Sequence, residues 1–456
     1  MEKGEMTIER WTRKLVFASL FFIFHFSFFI SQAQNGFNMP YSQFGIGISD
    51  LPYTIPMASR MGGVVYTQSG DNFINPFNPA SYGSIGTESF VFDMGANVQM
   101  TRLLNNEKGV NDADGNISHI TFGFPITGWW KLAGGLLNYT EVDYASTSQG
   151  IYLDSSIVKT VYDGTGGVNI AFIGSAFNIL GEYKEDRRLQ VGFNVNYLTG
   201  RVQHAITYSF MGIDSTHYKP SRRYKETKVG NVTFDLGIQY WEPLGEKYTL
   251  GVGLIYKPYR KMNVTDLALI YTFYTSDQSL ADTIFPSLGD SPEFTSTLEQ
   301  DHTFGIGLTF ERNDRWRVAA DATFSGWSGM KYTEGVNPPI MGQSALTYGP
   351  YSRYALAFEK VGTMDASSYW GRISWSVGFN TDQGLMRLMI GGEEQVIDAW
   401  GFGLGATLPM RKGRSLLTFS VGYRSLGNKD LLQRNSLTIG ISVSTCERWF
   451  VKRKYN

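Results

Sequence analysis

The sequence predicts an all-β protein, a transmembrane antiparallel β-barrel of about 14 strands behind an irregular N-terminal segment. Three observations lead there. From Val232 to Tyr240 every second residue is large and apolar (Val232, Phe234, Leu236, Ile238, Tyr240), with Thr233, Asp235, Gly237 and Gln239 between them. The same alternation recurs down the chain behind an N-terminal export segment. No later stretch approaches the roughly 18 consecutive apolar residues that a spanning helix requires. Exported strands with one apolar and one polar face suit a wall with lipid outside and water inside.

Residues 1–33 read as a secretory signal. Lys3, Arg10, Arg13 and Lys14 precede the apolar run Leu15–Ile30, and Ser31 and Ala33 stand at −3 and −1 to a cleavage before Gln34. An uncleaved anchor helix is the alternative. The single cysteine, Cys446, forms no internal disulfide and does not follow the cleavage site, which argues against lipoprotein processing. The expected location is the outer membrane of a Gram-negative cell.

Composition agrees. The 456 residues suffice for two or three soluble domains or one large barrel. The mean hydropathy of −0.18 is low for a helical membrane protein, but barrel strands show lipid only alternate residues. The net charge of −1 leaves no basic excess to neutralise phosphates, so nucleic acid is not an expected partner.

Along the chain, Gln34–Glu88 is rich in Pro, Gly, Asn and Ser and reads as irregular. Residues 89–456 carry the strands. Ser89–Met100 and Val232–Tyr240 are clear, as are Leu189–Tyr197, Tyr248–Tyr256, Phe304–Phe310, Trp316–Phe324, Ile373–Phe379, Trp400–Leu408, Leu417–Tyr423 and Leu437–Val443. Weaker candidates are Ile120–Ile126, Leu132–Tyr144, Val168–Phe177, Val202–Phe210, Leu267–Phe273 and Leu385–Ile390. Some of these join into single bent strands. The even number expected of a bacterial barrel points to 14, with 16 allowed. Tight connections are expected at Asn313-Asp314, Thr381–Gly384 and Arg411–Gly413, and long ones at Leu103–Ser118, Ser276–Asp301 and Gly329–Ser368. Tyr240-Trp241, Trp316, Trp327 and Trp400 suit interfacial girdles. A short basic tail, Lys452 to Asn456, follows the last strand.

Enzyme chemistry finds little support. His119, His204, His217 and His302 stand at no metal-ligand spacing, and no GxSxG is present. Neither a metal nor a cofactor is expected. Asp112-Ala113-Asp114-Gly115-Asn116 lacks the Gly and Glu of a calcium loop and reads as an exposed turn. Gly401-Phe402-Gly403-Leu404-Gly405 alternates as a strand, its glycines leaving room inside the barrel. Asp93, Asn194, Asn196, Asp235, Arg317, Asp321 and Arg372 must face the lumen, since an arginine facing lipid at mid-depth costs roughly 2–4 kcal/mol. They form either a polar network against a plug or the lining of a channel.

Asn78-Pro79-Ala80, just before the first strand, resembles the NPA motif of the FadL-type long-chain fatty-acid transporters. Asp321–Ser328 is similar to that family's strand ending in aromatic-x-x-Trp-Ser, and Gly251–Pro258 to a strand with a terminal tyrosine. The resemblance spans roughly Gln34 to Val443, and implies a 14-stranded barrel in which Gln34–Glu88 is a hatch carrying Asn78, Pro79 and Ala80. Unlike those barrels, this chain runs past a terminal aromatic into the basic tail.

The resemblance implies an outer-membrane transporter, not an enzyme. Its expected partners are outer-membrane lipids, a hydrophobic small-molecule ligand and the outer-membrane insertion machinery. A solute would land on an apolar outer surface, enter the lumen and leave sideways through the wall. Gly329–Ser368, with Val336, Ile340, Met341 and Tyr348, is the candidate capture surface or a segment folded into the lumen. Gly134-Gly135 is the candidate kink in the wall. A secretion subunit resembling the type IX shuttle barrels and a polar diffusion porin are the rival readings.

Overall fold

The computed structural model describes residues 39–105, 109–151, 157–180, 187–211, 219–274, 280–284, 291–336, 346–410 and 414–448. The expected signal at 1–33 and the basic tail lie outside the described residues. The strands are β1 (Ser89–Leu104), β2 (Gly109–Pro125), β3 (Trp130–Ile151), β4 (Ile157–Asn178), β5 (Arg188–Met211) and β6 (Ser221–Leu244). Four strands follow in two pieces each: β7 (Tyr248–Lys257, Arg260–Phe273), β8 (Glu293–Gln300, Thr303–Arg312), β9 (Trp316–Ser325, Met330–Thr333) and β10 (Leu346–Thr347, Tyr351–Lys360). Then come β11 (Ser374–Ile390), β12 (Glu393–Met410), β13 (Ser415–Asn428) and β14 (Leu432–Arg448). Each pairs antiparallel with its neighbours, and β14 returns to β1 from Ser89↔Arg448 to Leu104↔Gln433, closing a barrel of 14 strands.

The period-2 pattern sets the two faces. In β6, Val232, Phe234, Leu236 and Ile238 are exposed on the outside, while Thr233 and Gln239 are buried inside and Gly237 sits under the N-terminal segment. Closure leaves no edge, so outward side chains meet only lipid and can be uniformly apolar. No helix of the described residues is long and apolar enough to cross a membrane.

Several connections differ from expectation. Leu103–Ser118 is not a loop, because β2 starts at Gly109; its Asn/Asp-rich start is held by the backbone ladder to β1. The Asp112–Asn116 stretch is therefore strand, not turn. Thr381–Gly384 is a bulge inside β11, where the register to β12 shifts between Asp382 and Met386. Asn313-Asp314 is a tight turn, with Asp314 at φ 57°. Arg411–Gly413 lies outside the described residues. Ser276–Asp301 contains the short strand Leu280–Ile284, which pairs back on β7, and the first piece of β8. Gly329–Ser368 contains β10, whose Tyr354, Leu356 and Phe358 point outward while Arg353, Ala355, Ala357 and Glu359 point inward. Trp241 and Trp327 are not girdle residues. Trp241 is buried beneath the Arg188 guanidinium, and Trp327 packs edge-on to Tyr348.

Residues 39–88 lie within the wall. They carry only short helical turns, at Pro40–Gln43, Pro56–Ser59 and Pro79–Ser84. Val65 and Tyr82 are buried with wall residues such as Phe172 and Ile255, and Met61 and Val64 with Ala319, Ala355 and Ala357.

The wall has two seams. The β2–β3 ladder runs only from His119↔Leu137 to Pro125↔Lys131. It holds through Gly134-Gly135, which are paired on both sides, so the break comes later, beside a bulge between Asn138 and Thr140. Above it the N-terminal segment takes over as partner: Ile48 and Glu141 exchange backbone bonds of 3.2 and 3.0 Å, and Met39 N donates to Asp143 O at 2.6 Å. The second seam is between β9 and β10, whose ladder stops at Ser325↔Tyr351. Beyond it Met330–Thr333 pairs with β8 and Leu346–Thr347 with β11. With β3 to β9 on one side and β10 to β2 on the other, the seams face each other across the lumen.

Candidate functional site

The Asn78-Pro79-Ala80 turn is fully buried and makes its own cap: Ala80 N donates to Asn78 Oδ1 at 3.1 Å, and Asn78 Nδ2 donates to Tyr66 O at 2.7 Å. Proline fixes the turn's entry at the first helical position. The wall yields to it. A Cβ on Gly237 would stand 2.1 Å from Asn78 Oδ1, and one on Gly192 2.5 Å from the Pro79 carbonyl. Across the lumen Gly403 and Gly405 lie under Ser59 and Arg60. Glycine removes the side chain that would keep two backbones apart.

The opposite face is held by charge. Glu359 on β10 sits between Arg60 of the N-terminal segment at 2.6 Å and Arg317 of β9 at 2.9 Å. Asp321 accepts from the backbone N–H groups of Val65 and Tyr66 at 2.6 and 3.0 Å, with Arg353 at 4.0 Å. Arg353 also donates to Gly63 O at 3.2 Å. Asp382 receives Tyr53 Oη, Tyr351 Oη and Arg424 Nη1 within 2.9 Å, and the Arg424 guanidinium lies 4.2 Å over the Tyr53 ring. Every buried carboxylate of this group has a donor, which buried charge requires.

Asp50 ties the segment to β14 through Arg434 at 2.6 Å, with Arg424 at 4.0 Å. Burial opposes its charge, but the two guanidiniums outweigh it and hold the carboxyl below its usual range. A depressed folded pKa stabilises the seated segment above the unfolded value, about pH 4, and that contribution is lost as pH falls through the folded value. Below about pH 4, residues 39–55 should become sensitive to added pepsin. Asp50→Asn should already be sensitive to proteinase K at neutral pH. If the variant resists proteinase K as the parent does, the ion pair does not hold the segment.

Between these contacts lies a cavity of about 260 Å³. Leu51, Pro52, Phe77, Leu137, Ile170 and Phe172 give it apolar walls, and it extends to Trp327, Met330 and Tyr348 at the β9–β10 seam. Asp235 and Lys257 stand 3.9 Å apart on its lining, and Asn196 Nδ2 donates to Asp235 at 2.8 Å.

The remaining sequence candidates fall in several places. Asp93 is buried on the inner face with its carboxylate 3.3 Å from His119 Nε2, and Ser118 Oγ lies 3.0 Å from His119 Nδ1. The β1–β2 bulge turns the consecutive residues Ser118 and His119 inward together, which strict alternation could not reveal. This Ser-His-Asp chain is 1–3% exposed and its hydroxyl borders a 20 Å³ cavity, so it is not accessible to a substrate. His204 bonds Tyr144, and His302 bonds Tyr256; His217 lies outside the described residues. Arg372 is not on the inner face of a strand. It ends the one-turn helix Tyr369–Arg372 in the β10–β11 connection, where its Nε donates to Ala366 O at 3.1 Å. Val336 is half-buried, Tyr348 lines the cavity, and Ile340 and Met341 lie outside the described residues.

A closed 14-stranded wall with an apolar outer face and a lumen filled by the chain's own N-terminal segment defines an outer-membrane β-barrel of the plugged kind. Among solved structures it is similar to a Pseudomonas aeruginosa FadL homologue, with 12% identity and a TM-score of 0.53, covering 88% of this chain and 99% of that one. The Ralstonia pickettii toluene transporter TbuX matches at 14% identity and a TM-score of 0.49, over 89% and 99% of the two chains. At 12% identity the likeness to the FadL homologue shows the fold. Residues 12–456 match the BamG family model, and the chain belongs to the BamG family. No curated protein matches the sequence significantly.

Proposed function

We propose that this barrel admits hydrophobic small molecules across the outer membrane by way of the lumen cavity. The observation that carries this reading is the cavity itself. It has apolar walls, sits beside a segment bonded to the wall on both flanks, and reaches a break in the wall. Residues 34–88 serve as hatch and 89–456 as barrel, with Ser89 and Arg448 at the periplasmic end. Asp235, Arg317 and Asp321 hold the hatch and shape the cavity, and Tyr348 with Val336 offers the solute its first apolar contact. Wild-type cells should take up the apolar dye N-phenylnaphthylamine faster than cells lacking the protein. The purified native barrel should also carry an apolar ligand visible by mass spectrometry. Unchanged uptake together with a ligand-free barrel would refute this reading.

The family name favours a second reading, in which the barrel is a subunit acting with the outer-membrane insertion machinery. Deletion would then lower the amounts of other outer-membrane proteins and leave dye uptake unchanged. A polar porin fits less well, because the hatch crosses the lumen with bonds to β9, β10, β11 and β14.

A further inference from the structure

We propose that the solute passes between the cavity and the membrane through the β9–β10 seam, and that the opposed β2–β3 seam is closed to it. The inference rests on the transport reading above. The two seams have different chemistry. The β2–β3 seam is bridged by backbone bonds from Met39 and Ile48, and carboxylates crowd it: Glu141 bonds Asn116 and Asn138, with Asp114 and Asp143 nearby. An apolar solute would have to break strand-type hydrogen bonds and then pass a cluster of half-buried carboxylates.

Across the β9–β10 seam no backbone–backbone bond runs among the described residues, and the two arms meet through Tyr332 N donating to Tyr348 Oη at 3.3 Å. Its ladder ends at Ser325↔Tyr351, and Gly329, at φ 66° with no atom crowding it, lets the chain turn away at once. Neighbouring strands give way at the same level, β7 between Lys257 and Arg260, β8 between Gln300 and Thr303, and β11 at its bulge. Trp327 and Tyr348 meet edge to face at 6.3 Å across the break, and Met330 adds a flexible apolar side chain. Lys331 lies over both rings, at 5.9 and 5.6 Å. Trp327 Nε1 is buried without a hydrogen-bond partner among the described residues. An unpaired buried N–H favours an incoming acceptor, so the seam suits an apolar aromatic solute carrying one acceptor oxygen.

Benzophenone has that chemistry and is itself photoreactive. Photolysis with the purified full-length barrel should place adducts on Trp327, Met330 or Tyr348. Adducts at Asn116 or Glu141 instead would overturn the seam assignment while leaving the cavity reading intact. No adduct anywhere in the lumen would overturn both. In a Cys446→Ser background, Ser328→Cys modified with a bulky maleimide should abolish most dye uptake. A disulfide between Ile48→Cys and Glu141→Cys should leave uptake unchanged, oxidised or reduced. If that disulfide blocks uptake and reduction restores it, the β2–β3 seam is the route. Retention of the heat-modifiable gel shift of a folded barrel verifies that each variant is intact.

Discussion

Gly237→Val is expected to unseat the hatch without unfolding the wall. The new Cβ would fall 2.1 Å from Asn78 Oδ1 and 2.8 Å from Pro79 Cδ, distances no side chain tolerates. Neither neighbour can yield cheaply, since Asn78 is held by Ala80 and Tyr66 and Pro79 is a ring. Overpacking of this kind costs about 1–3 kcal/mol. The cost falls on the hatch, because the β5–β7 ladders around Gly237 involve backbone alone. In planar bilayers the variant should show open-channel steps that the parent lacks. Gly150→Val, where a Cβ meets nothing within 4 Å, should behave as the parent. A Gly237→Val channel as closed as the parent would mean that the NPA turn does not close the lumen.

Glu359→Ala should be the most destabilising single change in the lumen. It strands two guanidiniums, Arg60 and Arg317, that now share one carboxylate 2% exposed. Removing one partner from a buried ion pair costs about 3–5 kcal/mol, because the charge left behind is uncompensated. Urea unfolding in lipid vesicles reads the loss. Combining Glu359→Ala with Arg60→Met should recover part of it, since one stranded charge is gone. Additive losses in the double variant would show that Arg60 and Glu359 are not coupled.

Much of the wall was legible in the sequence because lipid imposes a rule on each strand separately. β6 shows it: the outward residues must be apolar wherever the chain crosses, so period 2 survives without reference to other strands. β10 stays hidden in the long Gly329–Ser368 connection although Tyr354, Leu356 and Phe358 carry the same signature, since apolar residues there equally suit a capture loop. The polar start of β2 was missed for a different reason: its strand is made by pairing to β1, which composition does not report. Inward orientation was readable for Asp93, Asp235, Arg317 and Asp321. Arg372 was misplaced because the strand begins two residues later, at Ser374. The partners of these residues were not readable at all.

The sequence by itself therefore determined a closed wall with one face for lipid and one for the lumen, since alternation is a property of consecutive residues. Only the tertiary structure decided what fills that lumen and where the wall parts. Glu359 meets Arg60 across 299 residues of chain, and Asp321 meets Val65 across 256. The seams are likewise ladders that stop, and a strand's residues look the same whether or not the neighbour continues beside them. Local periodicity carries no record of such meetings. They arise when closure brings distant strands around one segment, and burial then selects the pairs that leave no charge alone.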